Sequence, residues 1–115
     1  MNRVLVIDQD STTTQTLGLA CLQRGLGVVF ADNVCPGVRV ALDTPVDLVL
    51  LDVAALRVTL REVATVFDRL APGVPLAVAV AAQTSLELRV RLELAGFRVL
   101  TKPVSIDELM EKAAV

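Results

Sequence analysis

Charged side chains follow several of the short apolar runs in this chain. Asp8 and Asp10 follow the first run, Asp52 follows the third, and Lys102 comes after the fifth. Carboxylates serve as nucleophiles or as ligands of hard cations, and a lysine ammonium neutralises anionic oxygens beside it. Brought together by a fold, these groups can bind a cation or accept a transferred group.

Each of these residues also has a purely structural explanation. Asp8 can cap the first helix, Asp52 can cap the turn after its strand, and Lys102 can be a solvated loop cation. Two anions beside one cation contribute little to stability by themselves, however, and carboxylates with perturbed pKa values gather at functional sites. We therefore favour a functional cluster over three independent loop charges.

The apolar runs have the composition of buried strands. Their apolarity is continuous rather than alternating, which indicates burial on both faces, as in a parallel sheet. They cover residues 4–7, 28–31, 48–51, 76–81 and 97–100. Longer segments between and after them predict helices over residues 12–24, 36–42, 58–70, 85–94 and 106–114. Reciprocal caps, Thr84 with Glu87 and Ser105 with Glu108, predict the starts of the last two helices.

Five strand-then-helix units joined by right-handed crossovers predict one fold class. This is an α/β domain with three layers, a doubly wound five-stranded parallel sheet in the order 2-1-3-4-5. We expect a single domain over residues 1–115, with no room for an effector domain. Ligands of such sheets bind beyond the carboxyl ends of the strands, where the strand order reverses. Asp8, Asp52 and Lys102 are therefore expected at that edge.

Composition excludes several function classes. The chain has 115 residues, 54% of them apolar, which is enough for a core of its own. It has no His, so a Ser-His-Asp triad and an imidazole metal site are excluded. It has neither Trp nor Tyr to stack on a flavin or a base, and its net charge of -2 provides no basic surface for nucleic acid.

Two further sequence features predict the cellular setting. Cys21 and Cys35 are too few and too irregularly spaced for a disulfide framework, and both are expected to be small core residues. No apolar run approaches the roughly 18 residues that span a bilayer, and the amino terminus does not resemble a signal peptide. We therefore expect a cytoplasmic protein without a membrane partner.

Three motifs, in their order along the chain, resemble the receiver domain of two-component response regulators. Residues 4–8 read VLVID, residues 47–52 read DLVLLD, and residues 101–103 read TKP. The resemblance covers nearly the whole chain and implies the flavodoxin-like receiver fold. It also implies that Asp52 accepts a phosphoryl group, that Lys102 contacts it, and that the chain itself is not an enzyme.

The same resemblance implies a Mg²⁺ site and a set of partners. Asp8, Asp52 and the backbone carbonyl of Ala54 would hold the ion. Gln9 stands where receivers usually have a second acidic residue, so it offers only a neutral oxygen and Mg²⁺ binding is expected to be weak. The donor would be a histidine kinase or phosphotransfer protein, since this chain has no His, and the output protein or domain is unknown.

Other positions depart from the receiver pattern. Val80 stands where a Ser or Thr usually ends the fourth strand, and Val99 replaces an aromatic residue two positions before Thr101. The Pro and Gly expected after the phosphoacceptor are absent from residues 54–57. A ligand shifts a conformational equilibrium only through differential contacts, so phosphorylation is expected to switch this domain little.

Three functional hypotheses follow. The first is a receiver that accepts a phosphoryl group on Asp52 in a phosphorelay. The second, its alternative, is a phosphorylation-independent pseudo-receiver that acts as a protein-interaction module. The third is a flavodoxin-like cofactor protein, since residues 11–16 form a hydroxyl-rich segment after the first strand. The third is disfavoured because Asp8 would repel a phosphate and no Trp or Tyr can stack on a flavin.

Overall fold

The computed structural model describes residues 3–55 and 59–113, which form a five-stranded parallel sheet flanked by helices. The strands are β1 (Arg3–Ile7), β2 (Gly27–Ala31), β3 (Leu48–Asp52), β4 (Leu76–Val80) and β5 (Arg98–Thr101). Their order across the sheet is β2-β1-β3-β4-β5. The predicted fold class and strand order are confirmed.

The helices pack on both faces of this sheet. They are α1 (Ser11–Gln23), α2 (Val34–Asp43), α3 (Leu60–Leu70), α4 (Leu86–Leu94) and α5 (Ile106–Ala113), with a short 3₁₀ turn at Val53–Ala55. Leu17 of α1 and Leu109 of α5 pack on one face, while Val63 and Phe67 of α3 pack on the other. Both faces of β1 and β3 are thereby buried, as their continuous apolar runs require.

Several boundaries differ from the sequence prediction for local reasons. Helix α2 begins at Val34 rather than residue 36, because a proline is tolerated within the first turn, where its missing N–H has no helical partner. Helix α3 begins at Leu60, after the side chain of Thr59 accepts a hydrogen bond from the N–H of Glu62. The predicted start of this helix at residue 58 lies outside the described residues.

The cap of α4 was predicted one residue too early. Ser85, not Thr84, is the N-cap, and its hydroxyl accepts a hydrogen bond from the N–H of Leu88 at 3.2 Å. The cap predicted for the last helix is present, since Ser105 Oγ accepts from the N–H of Glu108 at 3.4 Å. Thr84 therefore does not cap α4, although the sequence predicted that it would.

The two cysteines have different environments. Cys21 of α1 is fully buried in the core, and burial raises the pKa of its thiol. Cys35 is exposed in the first turn of α2, so the expectation that both are core residues was wrong for Cys35. Helix α2 presents Gly37 to the sheet instead, where an added Cβ would meet Ile7 Cδ1 at 2.5 Å. The close approach at Gly37 fixes the rotation of α2 about its axis, and Cys35 consequently faces outward.

None of the described helices is both long enough and apolar enough to cross a bilayer.

Candidate functional site

Neighbouring strands bring the two acidic residues to one edge of the sheet. Ile7 pairs with Leu51 in the register of β1 and β3, so Asp8 and Asp52 each lie one residue beyond that pair. Lys102 follows β5, and its backbone N–H donates to the carbonyl of Val80 at 2.9 Å. Three residues far apart in sequence therefore meet where the strand order reverses, as predicted.

Lys102 bridges the two carboxylates. Its Nζ lies 2.8 Å from Asp8 Oδ2 and 3.2 Å from Asp52 Oδ2. The side chain of Asp8 is only 3% exposed, that of Asp52 11%, and that of Lys102 20%. Charges this well shielded from water interact more strongly than surface pairs. The structural explanation of Lys102 as a solvated loop cation is therefore wrong.

Backbone N–H groups orient both carboxylates. The N–H of Asp10 donates to Asp8 Oδ1 at 2.8 Å, and the N–H of Ala54 donates to Asp52 Oδ1 at 3.1 Å. In each carboxylate, one oxygen is thus held by the amide two residues ahead and the other by Lys102. This arrangement holds the Asp52 side chain in one orientation, which a nucleophile needs for an in-line approach.

The ionisation of the site follows from burial and from these contacts. Burial raises the pKa of Asp52 and the charge of Asp8 adds to the rise, against the lowering effects of the Ala54 amide and of Lys102. For Lys102, burial lowers the pKa, but hydrogen bonds and attraction to both carboxylates outweigh it, and the pKa rises. Lys102 therefore stays cationic between the two carboxyl groups.

Asp10 and Gln9 lie outside this cluster. Asp10 is the N-cap of α1, accepting from the N–H of Thr12 at 3.1 Å and from the hydroxyl of Thr13 at 2.6 Å. The Thr13 hydroxyl is the largest cause that lowers the pKa of this exposed carboxyl. Asp10, not Asp8, therefore caps the first helix. Gln9 is exposed and makes no described contact with the carboxylates.

The described residues offer a two-carboxylate site for a cation. They contain no group of three or more His, Cys, Asp or Glu side chains placed to hold a metal. Asp8 and Asp52 share the crevice, and Ala54 lies beside them through its hydrogen bond to Asp52. Mg²⁺ is commonly held by one or two carboxylates plus water, so this donor set fits that ion, although Lys102 already neutralises part of the charge.

A cavity of about 230 Å³ opens beside Asp52 and Lys102, between the ends of β3 and β4 and the start of α4. Its wall is mostly apolar and includes Ala79, Val80 and Leu88. Thr84 also lines it. This role was not predicted from the sequence, because the spacing of Thr84 and Glu87 indicated a helix cap. The usable signal was that a hydroxyl residue stands in the loop after a central strand.

The two positions that depart most from the receiver pattern pack together. Val80 is 2% exposed and Val99 8% exposed, and both belong to a small apolar cluster with Val78. Val53 of the turn after β3, Leu60 of α3, Leu92 of α4 and Phe97 pack against this cluster. We call these seven residues the valine cluster. It replaces a hydroxyl and an aromatic ring with methyl groups that join β4, β5 and α4.

Comparison with known proteins places this arrangement in a structural context. No protein-family model matches the chain. It is similar to the transcriptional regulatory proteins GlrR of Escherichia coli K12 and QseF of Escherichia coli O157:H7, each 28% identical over 108 residues, which is 94% of this chain and 24% of the relative. The chain therefore spans about a quarter of the length of the curated relatives it matches.

Several solved structures with the same fold are described as receiver domains. A response regulator receiver domain protein from Clostridium thermocellum superposes with a TM-score of 0.79 at 20% identity, covering 99% of this chain and 92% of the other. A CheY-like receiver domain protein from Methanospirillum hungatei JF-1 gives a TM-score of 0.77 at 24% identity, covering 97% and 90%. The receiver fold implied by the sequence resemblance is confirmed.

Proposed function

We propose that this receiver-like domain accepts a phosphoryl group on Asp52 and acts in phosphorelay signal transduction. The observation that carries the proposal is the bridge from Lys102 to Asp8 and Asp52, in a shielded crevice at the reversal point of a receiver fold. The curated relatives are transcriptional regulatory proteins, which supports a signalling role. Asp52 is itself modified by the transfer and is not regenerated by it, so we propose a phosphoryl acceptor rather than an enzyme.

The transfer follows from the positions of the charges. A carboxylate oxygen of Asp52 attacks phosphorus and forms an O–P bond, while the bond from phosphorus to the donor's nitrogen or oxygen breaks. The electron pair of that bond stays with the donor, which takes a proton from solvent. Lys102 lies 3.2 Å from Asp52 and is positioned to neutralise a phosphoryl oxygen. Positioning and charge supply nearly all the catalysis in such transfers.

A divalent cation belongs to this proposal. Asp8 and Asp52 would hold Mg²⁺, with the carbonyl of Ala54 as a further ligand, while the exposed Gln9 lies outside the carboxylate cluster. When bound, the ion supplies positive charge to the phosphoryl oxygens. The chain itself keeps the two carboxylates close together. Lys102 offsets their mutual repulsion, and the N–H groups of Asp10 and Ala54 orient them.

The partners are proposed from the chemistry of transfer. Residues 1–115 contain no His, so a phosphohistidine donor would be a histidine kinase or phosphotransfer protein whose His lies outside them. The output protein or domain is not identified by any described surface, and the cytoplasmic location stays a prediction.

The valine cluster favours one second candidate, a phosphorylation-independent pseudo-receiver that binds a partner. Val80 and Val99 belong to one apolar cluster, and neither side chain has a polar group that could bind a phosphoryl group. A module of this kind would keep the crevice as a structural remnant. The two candidates differ in whether Asp52 is ever modified.

The experiment is intact-mass measurement after incubation with Mg²⁺ and acetyl phosphate. We expect the wild-type protein to gain the mass of one phosphoryl group and Asp52→Asn to gain none. Asp68→Asn, at an exposed position of α3, is the matched control and should behave as the wild type. A gain that persists in Asp52→Asn would overturn the site, whereas no gain in the wild type would favour the pseudo-receiver.

A further inference from the structure

The cavity beside Asp52 has very few polar side chains. Among the described residues that line it, Asp52, Lys102 and Thr84 carry the polar groups, and the rest of the wall comes from Val, Ala and Leu side chains. Thr84 therefore contributes the one hydroxyl on the described part of this wall. An apolar wall makes each polar contact inside it more valuable, because water is partly excluded.

A phosphoryl group on Asp52 needs more donors than Lys102 supplies. Such a group carries roughly two negative charges and three strong acceptor oxygens. The ammonium of Lys102 is already shared between Asp8 and Asp52, at 2.8 and 3.2 Å. The methyl groups of Val80, which also lines the cavity, offer no hydrogen bond. At least one phosphoryl oxygen would face an apolar wall unless another side chain meets it.

Thr84 is placed for this task and has no competing one. Its backbone N–H donates to the carbonyl of Ala81 at 3.0 Å, and this turn folds the loop back beside the end of β4. Its hydroxyl makes no hydrogen bond within residues 3–55 and 59–113. The cap of α4 is supplied by Ser85 instead. Thr84 is thus a half-buried residue of the cavity wall whose hydroxyl is available as a donor.

We propose that the Thr84 hydroxyl donates a hydrogen bond to the phosphoryl group on Asp52, in place of the hydroxyl that Val80 lacks. The inference rests on the proposed function, because it concerns the phosphorylated state of the same site. Thr84 directly precedes the N-cap of α4, so this bond would also fasten the start of α4 to the phosphoryl group. The route bypasses Val80 and Val99.

The test removes the hydroxyl while keeping the side-chain shape. Thr84→Val should take up a phosphoryl group from acetyl phosphate and Mg²⁺ about tenfold more slowly than the wild type, the size expected for one hydrogen bond to a charged group. Thr84→Ser retains the hydroxyl and should stay close to the wild-type rate. Adding Val80→Thr to Thr84→Val should restore much of the lost rate, because it returns a hydroxyl to the same cavity wall.

Ser85→Ala is the matched control, since it removes a hydroxyl one residue away that caps α4 but is not part of the cavity lining. It should lower stability without slowing phosphoryl uptake. Amide NMR shifts provide a second readout: phosphorylation should move the signals of residues 84–88 in the wild type and leave them in place in Thr84→Val.

Three other results would overturn the proposed role of Thr84. Equal uptake rates in the wild type and Thr84→Val would overturn the role of Thr84 while leaving Asp52 as the acceptor. Slowing by Ser85→Ala as large as that by Thr84→Val would show that the effect passes through α4 stability, which also overturns it. If the wild type takes up no phosphoryl group, the proposed function fails, and the inference fails with it.

Discussion

Two regions at the same edge of the sheet are built on opposite principles. The crevice of Asp8, Asp52 and Lys102 is held by ion pairs and by backbone amides that each bind one carboxylate oxygen. The valine cluster beside it is held by apolar packing among β4, β5, α3, α4 and the turn after β3. Both regions are shielded from water, but only the first contains groups that respond to added charge.

The polar contacts that orient Asp52 thus differ in kind from the apolar packing of the valine cluster, although Val80 and Val53 of that cluster also line the cavity beside Asp52. The geometry of Asp52 depends on its own turn and on Lys102, neither of which needs a polar residue at Val80 or Val99. The valines at positions 80 and 99 therefore coexist with an intact crevice. The proposed acceptor function and an altered response are compatible in one fold.

Helix α4 is the element on which the two regions meet. None of its residues is buried, and Leu86 and Leu94 are 75% and 83% exposed. Leu92 packs against the valine cluster, while Leu88 lines the cavity beside Asp52. A helix with so few buried contacts costs little to shift, because local stability follows the number of buried apolar contacts. A hydrogen bond from Thr84 would act on this lightly held helix.

The largest effect is expected when the crevice loses its cation. Lys102→Met leaves two buried carboxylates without a counter-charge and should lower the free energy of unfolding by roughly 2–4 kcal/mol, as for breaking a shielded ion pair. Phosphoryl uptake should also fall below detection. Because burial and Asp8 raise the pKa of Asp52, its protonation on acidification relieves the repulsion, so the destabilisation should shrink as pH falls.

Urea unfolding at several pH values measures this loss. Arg91→Met is the control, since it breaks the exposed pair with Glu87 at 2.9 Å and should cost no more than about 0.3–0.5 kcal/mol. Equal losses in the two variants would show that the crevice is no more shielded than the surface and would remove the contrast between the regions.

A smaller effect is expected from the valine cluster. Val99→Ala removes buried methyl groups and should lower the free energy of unfolding by about 1–2 kcal/mol. The loss should be insensitive to salt, and phosphoryl uptake should keep the wild-type rate, because Val99 does not line the cavity beside Asp52. Slowed uptake, measured by intact mass in parallel with unfolding, would mean that the two regions are coupled after all.

The smallest effect is expected at the rim of the crevice. Gln9→Asp adds a carboxylate next to Asp8 and should tighten Mg²⁺ binding roughly tenfold in titration calorimetry, by returning negative charge to the ion's surroundings. Gln15→Glu, at an exposed position on α1, adds the same charge elsewhere and is the control. Equal affinities in Gln9→Asp and the wild type would show that residue 9 does not face the ion.

Much of the fold was predictable from the sequence because its signals are local or follow general rules. Continuous apolar runs identify the strands of a parallel sheet, and the handedness of crossovers restricts their order. The site was predictable for the same reason, since Asp8, Asp52 and Lys102 each stand within two residues of a strand end. Position along a strand is enough to assign a residue to one edge of the sheet.

Other features required the tertiary structure, because they depend on contacts between residues distant in sequence. The exposure of Cys35 follows from the close approach of Gly37 to Ile7, which no local pattern encodes. The partnership of Val80 and Val99 follows from the pairing of β4 with β5.

The sequence by itself determined the strands, their order and the acidic residues at the strand ends, because these depend on local composition and on the chirality of the chain. Only the tertiary structure decided that Lys102 bridges both carboxylates and that Thr84, rather than capping a helix, lines the cavity beside Asp52. A side chain's partner depends on the register of strands and the path of loops. These are fixed when the whole core packs, and a single segment does not contain that information.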